Sequence, residues 1–280
     1  NHYNRANALF ADKNFAGAVA DYSEAIKIHP AYAMAYYSRG NAYVELRDDL
    51  KAIADYSEAI QLDATNARAY YNRGLANRRL SNISGALGDY TQAIRLDANY
   101  DRAYQSRGIL YRTTNELDKS LADYNQALRV NPKQPDYLHG RALTYARMKR
   151  YDEALADMNA SLEINPKSAI GFTARSSIHA DMGDRLRAIA DLNEAIGLQP
   201  LATRYFDRAT LHLELKDYDK AIADYSEAIR MQPNYPSAYN NRGNAYRAKN
   251  DNARAIADYD KAIELRKTPA ATASPAGGGA

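Results

Sequence analysis

Residues 33–66, AMAYYSRGNAYVELRDDLKAIADYSEAIQLDATN, decide the fold. The first half places Ala33, Tyr36, Gly40 and Tyr43 at helical intervals, and the second half does the same with Leu50, Ile53, Tyr56 and Ile60. That periodicity predicts two amphipathic helices. A polar break near Arg47 and Asp48 separates them, with Asp48 placed to cap the second helix. Residues 63–66 form the turn out of the second helix.

The same unit recurs along the whole chain. Arg5, Arg39, Arg73, Arg107, Arg141, Arg175, Arg208 and Arg242 stand 34 residues apart at every step but one, which is 33. Sixteen residues after each comes Asp21, Asp55, Asp89, Asp123, Asp157, Asp191, Asp224 or Asp258. A fixed period near 34 marks a stacked repeat array rather than one globular core. Eight units are expected, at about 1–32, 33–66, 67–100, 101–134, 135–168, 169–201, 202–235 and 236–267, then a Pro/Ala/Gly-rich tail over 268–280 expected to be flexible. Several second helices should stop at Pro30, Pro132, Pro166, Pro200 and Pro233, while Pro135 and Pro236 should open first helices. Small residues recur where helices must cross, as in Gly40, Ala52 and Ala59. Large ones recur beside them in the register Tyr22, Tyr56, Tyr90, Tyr124, Tyr225 and Tyr259, with Met158 and Leu192 in two copies. Most of the 24 tyrosines are therefore expected in the core.

Bulk composition narrows the function. Lys plus Arg is 37 against 34 Asp plus Glu, a net charge of +3, too weak to point to nucleic acid. The chain has no cysteine, so disulfide, thiolate-zinc and thiol redox chemistry are excluded. No apolar run approaches the ~18 residues of a membrane span. A start at Asn1, inside the first repeat, points to a processed or truncated N-terminus. With the lack of cysteine, it favours a periplasmic or secreted location over a cytoplasmic one.

An aromatic, a small residue and a second aromatic on the first helix, then Ala, aromatic, Ala and a closing Pro on the second, resemble the tetratricopeptide repeat. The likeness covers nearly the whole chain. Two departures stand out. Tyr36, Tyr70, Tyr104, Tyr205 and Tyr239 replace the family's tryptophan, with His2, Leu138 and Phe172 elsewhere, and the arginine series replaces its leucine. The sixth copy, with Ser176, His179 and Gly197, diverges most, and the one-residue deletion comes after it near Pro200 and Leu201. The resemblance implies an all-α, right-handed superhelical α-solenoid whose first helices line a concave groove that binds peptides. Candidate contacts on those helices are Tyr37, Asn41, Glu45, Arg68, Tyr71, Asn72, Arg78, Arg79, Arg102, Gln105, Arg112, His139, Leu143, Arg147, Asn240, Asn244 and Arg247. Relatives that clamp chaperone tails need Lys where this chain has Tyr3, Tyr37 and Asn240, so that ligand is not expected.

Two readings of the arginine series remain open: a basic ladder for an anionic ligand, or structural pairing of each Arg with an Asp, within one repeat or between neighbours. The structural reading is the stronger, because a planar guanidinium meets a carboxylate with two hydrogen bonds. Charge is uneven along the groove path. Residues 33–66 carry three basic and six acidic side chains, 67–100 five and two, and 101–134 six and four. Arg68, Arg78, Arg79, Arg102 and Arg112 are therefore expected to form a basic patch that attracts an acidic segment or C-terminal carboxylate. No catalytic constellation, cofactor motif or metal-ligand spacing is present among the histidines His2, His29, His139, His179 and His212. His179 and His212 share the register of Tyr43 and Tyr111 and are expected to pack. The expected function is a non-catalytic scaffold binding a protein or peptide. The alternative is self-assembly through uncapped ends, where Ile256, Tyr259 and Ile263 have no further repeat to cover them.

Overall fold

The computed structural model describes residues 2–267, so the expected flexible tail at 268–280 lies outside the described residues. The chain divides into two compact units, Asn1–Met148 and Lys149–Ala280. The first holds α1 (His2–Ala11), α2 (Phe15–Ile28), α3 (Ala33–Glu45), α4 (Asp49–Leu62), α5 (Ala67–Arg79), α6 (Ile83–Leu96), α7 (Asp101–Thr113), α8 (Leu117–Val130) and α9 (Pro135–Arg147). The second holds α10 (Tyr151–Ile164), α11 (Ala169–Asp181), α12 (Arg185–Leu198), α13 (Ala202–Glu214), α14 (Tyr218–Met231), α15 (Pro236–Ala248) and α16 (Asn252–Lys267). The architecture is all-α, with no strand among the described residues. Inside each unit every helix packs on its neighbours in chain order, and α3 meets α5, α7 meets α9 and α13 meets α15. Successive first helices therefore stack on one another within a unit.

Local chemistry explains the pairs. The Asp48 side chain accepts from Lys51 N and caps α4; Asn14, Asn82 and Asp184 do the same for α2, α6 and α12. Pro30, Pro132 and Pro233 each follow a C-cap residue directly, and Pro135 and Pro236 occupy first helical positions. Between first and second helices the chain makes a left-handed turn at Lys13, Arg47, Ser81, Asn115, Lys149, Lys216 and Asn250, with φ of 60° to 65°, and at Gly183 with φ of 83°. Ser81 N donates to Arg78 O and Asn82 N to Asn77 O, closing the end of α5. A side chain in this conformation costs about 1–2 kcal/mol, part of which glycine gives back in unfolded-state entropy. Ser81→Gly is expected to stabilise the fold by about 0.5–1 kcal/mol. A fall in melting temperature would contradict this.

The core is built from small residues under rings. Ala18, Ala52, Ala86, Ala188 and Ala221 are fully buried beside Tyr22, Tyr56, Tyr90, Leu192 and Tyr225. A Cβ at Gly40 or Gly74 would fall 2.8 or 2.7 Å from the ring of Tyr56 or Tyr90, so the absence of a side chain lets each ring lie against the facing helix.

The arginine series is structural. Arg5, Arg39, Arg73, Arg107, Arg175, Arg208 and Arg242 each pair with the Asp sixteen residues on, from the first helix of a pair to the second. Six of these pairs measure 2.6 to 2.7 Å at Nη2. The ion pair lies within a repeat, and a second bond reaches the preceding one. Nη1 of Arg39, Arg73, Arg107, Arg175, Arg208 and Arg242 donates to Ser23, Ser57, Thr91, Asn159, Asn193 and Ser226. Each guanidinium thus joins three helices. At the shortened junction after α12, the buried Arg204 donates to Gln199 O and to Thr173 Oγ1, spanning α11 and α13.

Candidate functional site

The stacked first helices of the first unit position two adjoining cavities. The larger, of about 710 Å³, opens between the N-terminal ends of α5 and α7. Tyr37, Arg68, Tyr71, Asn72, Tyr100 and Arg102 line it, with the turns that carry Asn66, Asp97 and Asn99. Its floor is aromatic: the Tyr71 ring lies 4.9 Å from Tyr100 and 5.8 Å from Tyr90. Burial, followed by Tyr71 and Tyr37, pushes the Tyr100 phenol up, while Arg68 and Arg102 pull it down. Both arginines are thus within electrostatic reach of that ring. Among the described residues neither makes an ion pair. The carboxylates at the rim are engaged elsewhere, Asp97 accepting from Asn99 N, and Asp101 from Arg102 N and Asn131 Nδ2.

The smaller cavity, of about 290 Å³, is lined by Phe10, Asn41, Glu45, Tyr56, Asn72 and Arg79, among others. A hydrogen-bond network joins the two. Tyr56 donates to Asn41 Oδ1 at 2.7 Å, and Asn72 Nδ2 donates to the same oxygen at 3.0 Å and to the Tyr37 hydroxyl at 3.1 Å. Asn7 and Asn244 accept from Tyr22 and Tyr259 in the same register. Where α5 carries Leu75 instead, the Tyr90 hydroxyl is buried without a hydrogen-bond partner, and burial pushes it up to about 12.

The structure brings together Tyr37, Arg68, Tyr71, Asn72 and Arg102 at one cavity and Asn41, Asn72 and Arg79 at the other. Two expectations are corrected. Tyr37, Asn41, Tyr71 and Asn72 are half-buried rather than simply solvent-facing, because their polar atoms knit successive first helices. The five arginines do not form one basic patch. Arg79 is held by both oxygens of Asp49, at 2.8 and 2.9 Å from Nε, and Arg112 donates to Gly140 O at 3.1 Å. Arg78 lies beside Tyr90, and Arg68 and Arg102 remain at the cavity. Arg147 is likewise structural, donating to Arg112 O and Asn115 Oδ1. Gln105 and His139 are half-buried; burial and then Arg112 hold the His139 imidazole below its usual range. Tyr100 was missed because it falls in the turn, outside the helical period; its aromatic character at the N-cap of α7 was the available signal.

On α16, Ile256 is 59% and Ile263 48% exposed, while the register equivalents of Ile263, Ile60 and Leu128, are 9% and 8%. Tyr259 is half-buried and donates to Asn244. Among the described residues no group of acidic and histidine side chains is placed to hold a metal, and no helix is long and apolar enough to cross a membrane.

Comparison with known proteins agrees with the fold. Tetratricopeptide repeat models match residues 2–46, 50–81 and 108–149, residues 67–100, residues 135–168 and residues 206–272. No curated protein matches the chain. Among solved structures, a tetratricopeptide repeat protein from Parabacteroides merdae is 20% identical with a TM-score of 0.68, covering 91% of this chain and 97% of that one. MamA is 26% identical with a TM-score of 0.56, over 58% of this chain and 95% of its own. YrrB, described as a TPR protein with an unusual peptide-binding site, is 22% identical with a TM-score of 0.58, over 70% and 97%.

Proposed function

The chain belongs to the tetratricopeptide repeat family, and we propose that it is a non-catalytic scaffold holding an acidic peptide segment against α3, α5 and α7. The observation that carries this is the larger cavity: two guanidinium groups without carboxylate partners, Arg68 and Arg102, flank an aromatic floor beside the Asn72 amide. An arginine fork binds a carboxylate with two charge-assisted hydrogen bonds. Tyrosine faces supply apolar area at low cost in side-chain entropy. That YrrB has a peptide-binding site by its own description is in keeping with this reading, although that likeness extends to the fold alone. The test is fluorescence polarisation with labelled decapeptides ending in Glu-Glu and a free carboxylate. Arg68→Glu with Arg102→Glu is expected to weaken binding at least ~10-fold at low salt, and salt should weaken the parent complex. Equal affinity for parent and variant would sink the proposal.

The exposed Ile256 and Ile263 favour a second reading, association of copies through α16. Light scattering over a concentration series tests it. Mass rising above 31.2 kDa with concentration, and returning to it on Tyr259→Glu, is the expected signature. A constant monomer mass would rule it out.

A further inference from the structure

Three repeats close both faces of their arginine with rings. Arg39 lies 5.6 Å from the Tyr36 centroid and 6.0 Å from Tyr43. Arg107 lies 5.9 and 5.7 Å from Tyr104 and Tyr111, and Arg242 5.5 and 6.0 Å from Tyr239 and Tyr246. The second ring in each case also meets a cation from the second helix. Lys51 is 5.4 Å from Tyr43, Lys119 5.3 Å from Tyr111 and Arg254 4.6 Å from Tyr246. A phenol between two cations is how this chain fills that space, and the ring quadrupole makes it a favourable filling.

In α11 and α13 the same position carries His179 and His212. The first-helix arginine, its aspartate and a second-helix cation around it are kept. Arg175 stacks 5.4 Å from Phe172 and Arg208 5.5 Å from Tyr205, each on one face only. Arg187 and Lys220 stand where Lys51 and Lys119 stand in the complete repeats. An imidazole is shorter than a phenol, and a cavity opens at each site. The first, of about 400 Å³, is lined by Leu155, Arg175, His179 and Arg187; the second, of about 370 Å³, by Ile189, Arg208, His212 and Lys220. His179 is 8% exposed, and its Nδ1 has no hydrogen-bond partner. Burial holds both imidazoles below their usual range, with Asp191 and Asp224 opposing it.

We propose that these two cavities are aromatic-ring sites, each taking a phenol side chain of a partner polypeptide in the place that a tyrosine of this chain fills in the complete repeats. The sites repeat in consecutive helix pairs, so one partner segment with two suitably spaced tyrosines engages both. They are distinct from the cavities of α3, α5 and α7 and do not depend on the reading given to those.

The test titrates p-cresol into the full chain and tracks the Cε1–H signals of the five histidines by NMR. Those of His179 and His212 are expected to move and saturate, and those of His2, His29 and His139 to stay. His179→Tyr with His212→Tyr installs the residue that α3, α7 and α15 carry, and is expected to raise the melting temperature and abolish saturation transfer to p-cresol. A peptide with two tyrosines on a flexible linker is expected to bind at least ~10-fold more tightly than one with a single tyrosine. Unmoved His179 and His212 signals, or equal saturation transfer in the double variant, would overturn the sites. Binding of p-cresol without binding of either peptide would overturn the polypeptide source in favour of a free aromatic compound.

Discussion

Arg107→Leu is expected to remove about 3–5 kcal/mol of unfolding free energy, because it leaves Asp123 buried without its partner. Arg112→Leu, on the next turn of α7, is expected to cost about 1.5 kcal/mol, the value of one hydrogen bond from a charged donor to Gly140 O. The contrast separates a structural arginine from an incidental one, and equal losses in urea denaturation would contradict it. Adding Asp123→Leu to Arg107→Leu should recover most of the loss, since an apolar pair replaces a stranded charge. The loss should also depend on pH. Burial raises the Asp123 carboxyl above its usual range, and Arg107 opposes that. Without Arg107 only the upward push remains, so the folded variant keeps its proton to higher pH than the unfolded chain does. Between those two values the folded state binds more protons, and its stability falls as pH rises. The deficit relative to the parent should therefore be smallest near the unfolded carboxylate value, about pH 4, and grow toward neutrality.

That Arg and Asp pair was legible in the sequence from their constant spacing of sixteen, but whether each pair lies within one repeat or between neighbours was not, and the structure places it within one. The contacts that join repeats were not legible either. Asn72 reaches Asn41 and Tyr37 at separations of 31 and 35, and Arg79 reaches Asp49 at 30. Those numbers are not a period of either helix; they reflect how one pair settles on the next. Hence residues judged solvent-facing from helical phase alone proved half-buried, and a patch counted from charge lost Arg79 and Arg112 to structural partners. The histidines show the same limit. Their register with Tyr43 and Tyr111 was visible, but the space left by a shorter ring is a property of the surrounding cations and apolar side chains. It appears only once Arg175, Arg187 and Leu155 are in place around it.

Gly140→Ala should be far more damaging than Gly108→Ala, although both glycines face the Tyr124 ring. At Gly108 a Cβ would lie 3.3 Å from Tyr124 Cε2, close enough to require a shift of a few tenths of an ångström. At Gly140 it would fall well inside contact distance of Tyr124 Cε1, Cζ and Oη. The ring is 1% exposed, so it has no free volume to move into, and the helices must separate instead. Overpacking of this kind costs about 1–3 kcal/mol or more, against a gain of about 1 kcal/mol from placing alanine in a helix. At Gly108 the two terms should nearly cancel. At Gly140 the clash should win by about 2 kcal/mol. Tyr124→Met tests the cause, because Met158 already fills this register one repeat later and is fully buried there. In the Gly140→Ala background Tyr124→Met should restore stability, whereas in the parent it should cost some packing. A double-mutant cycle giving additive losses would mean that the ring does not set the approach of α9 to α7 and α8.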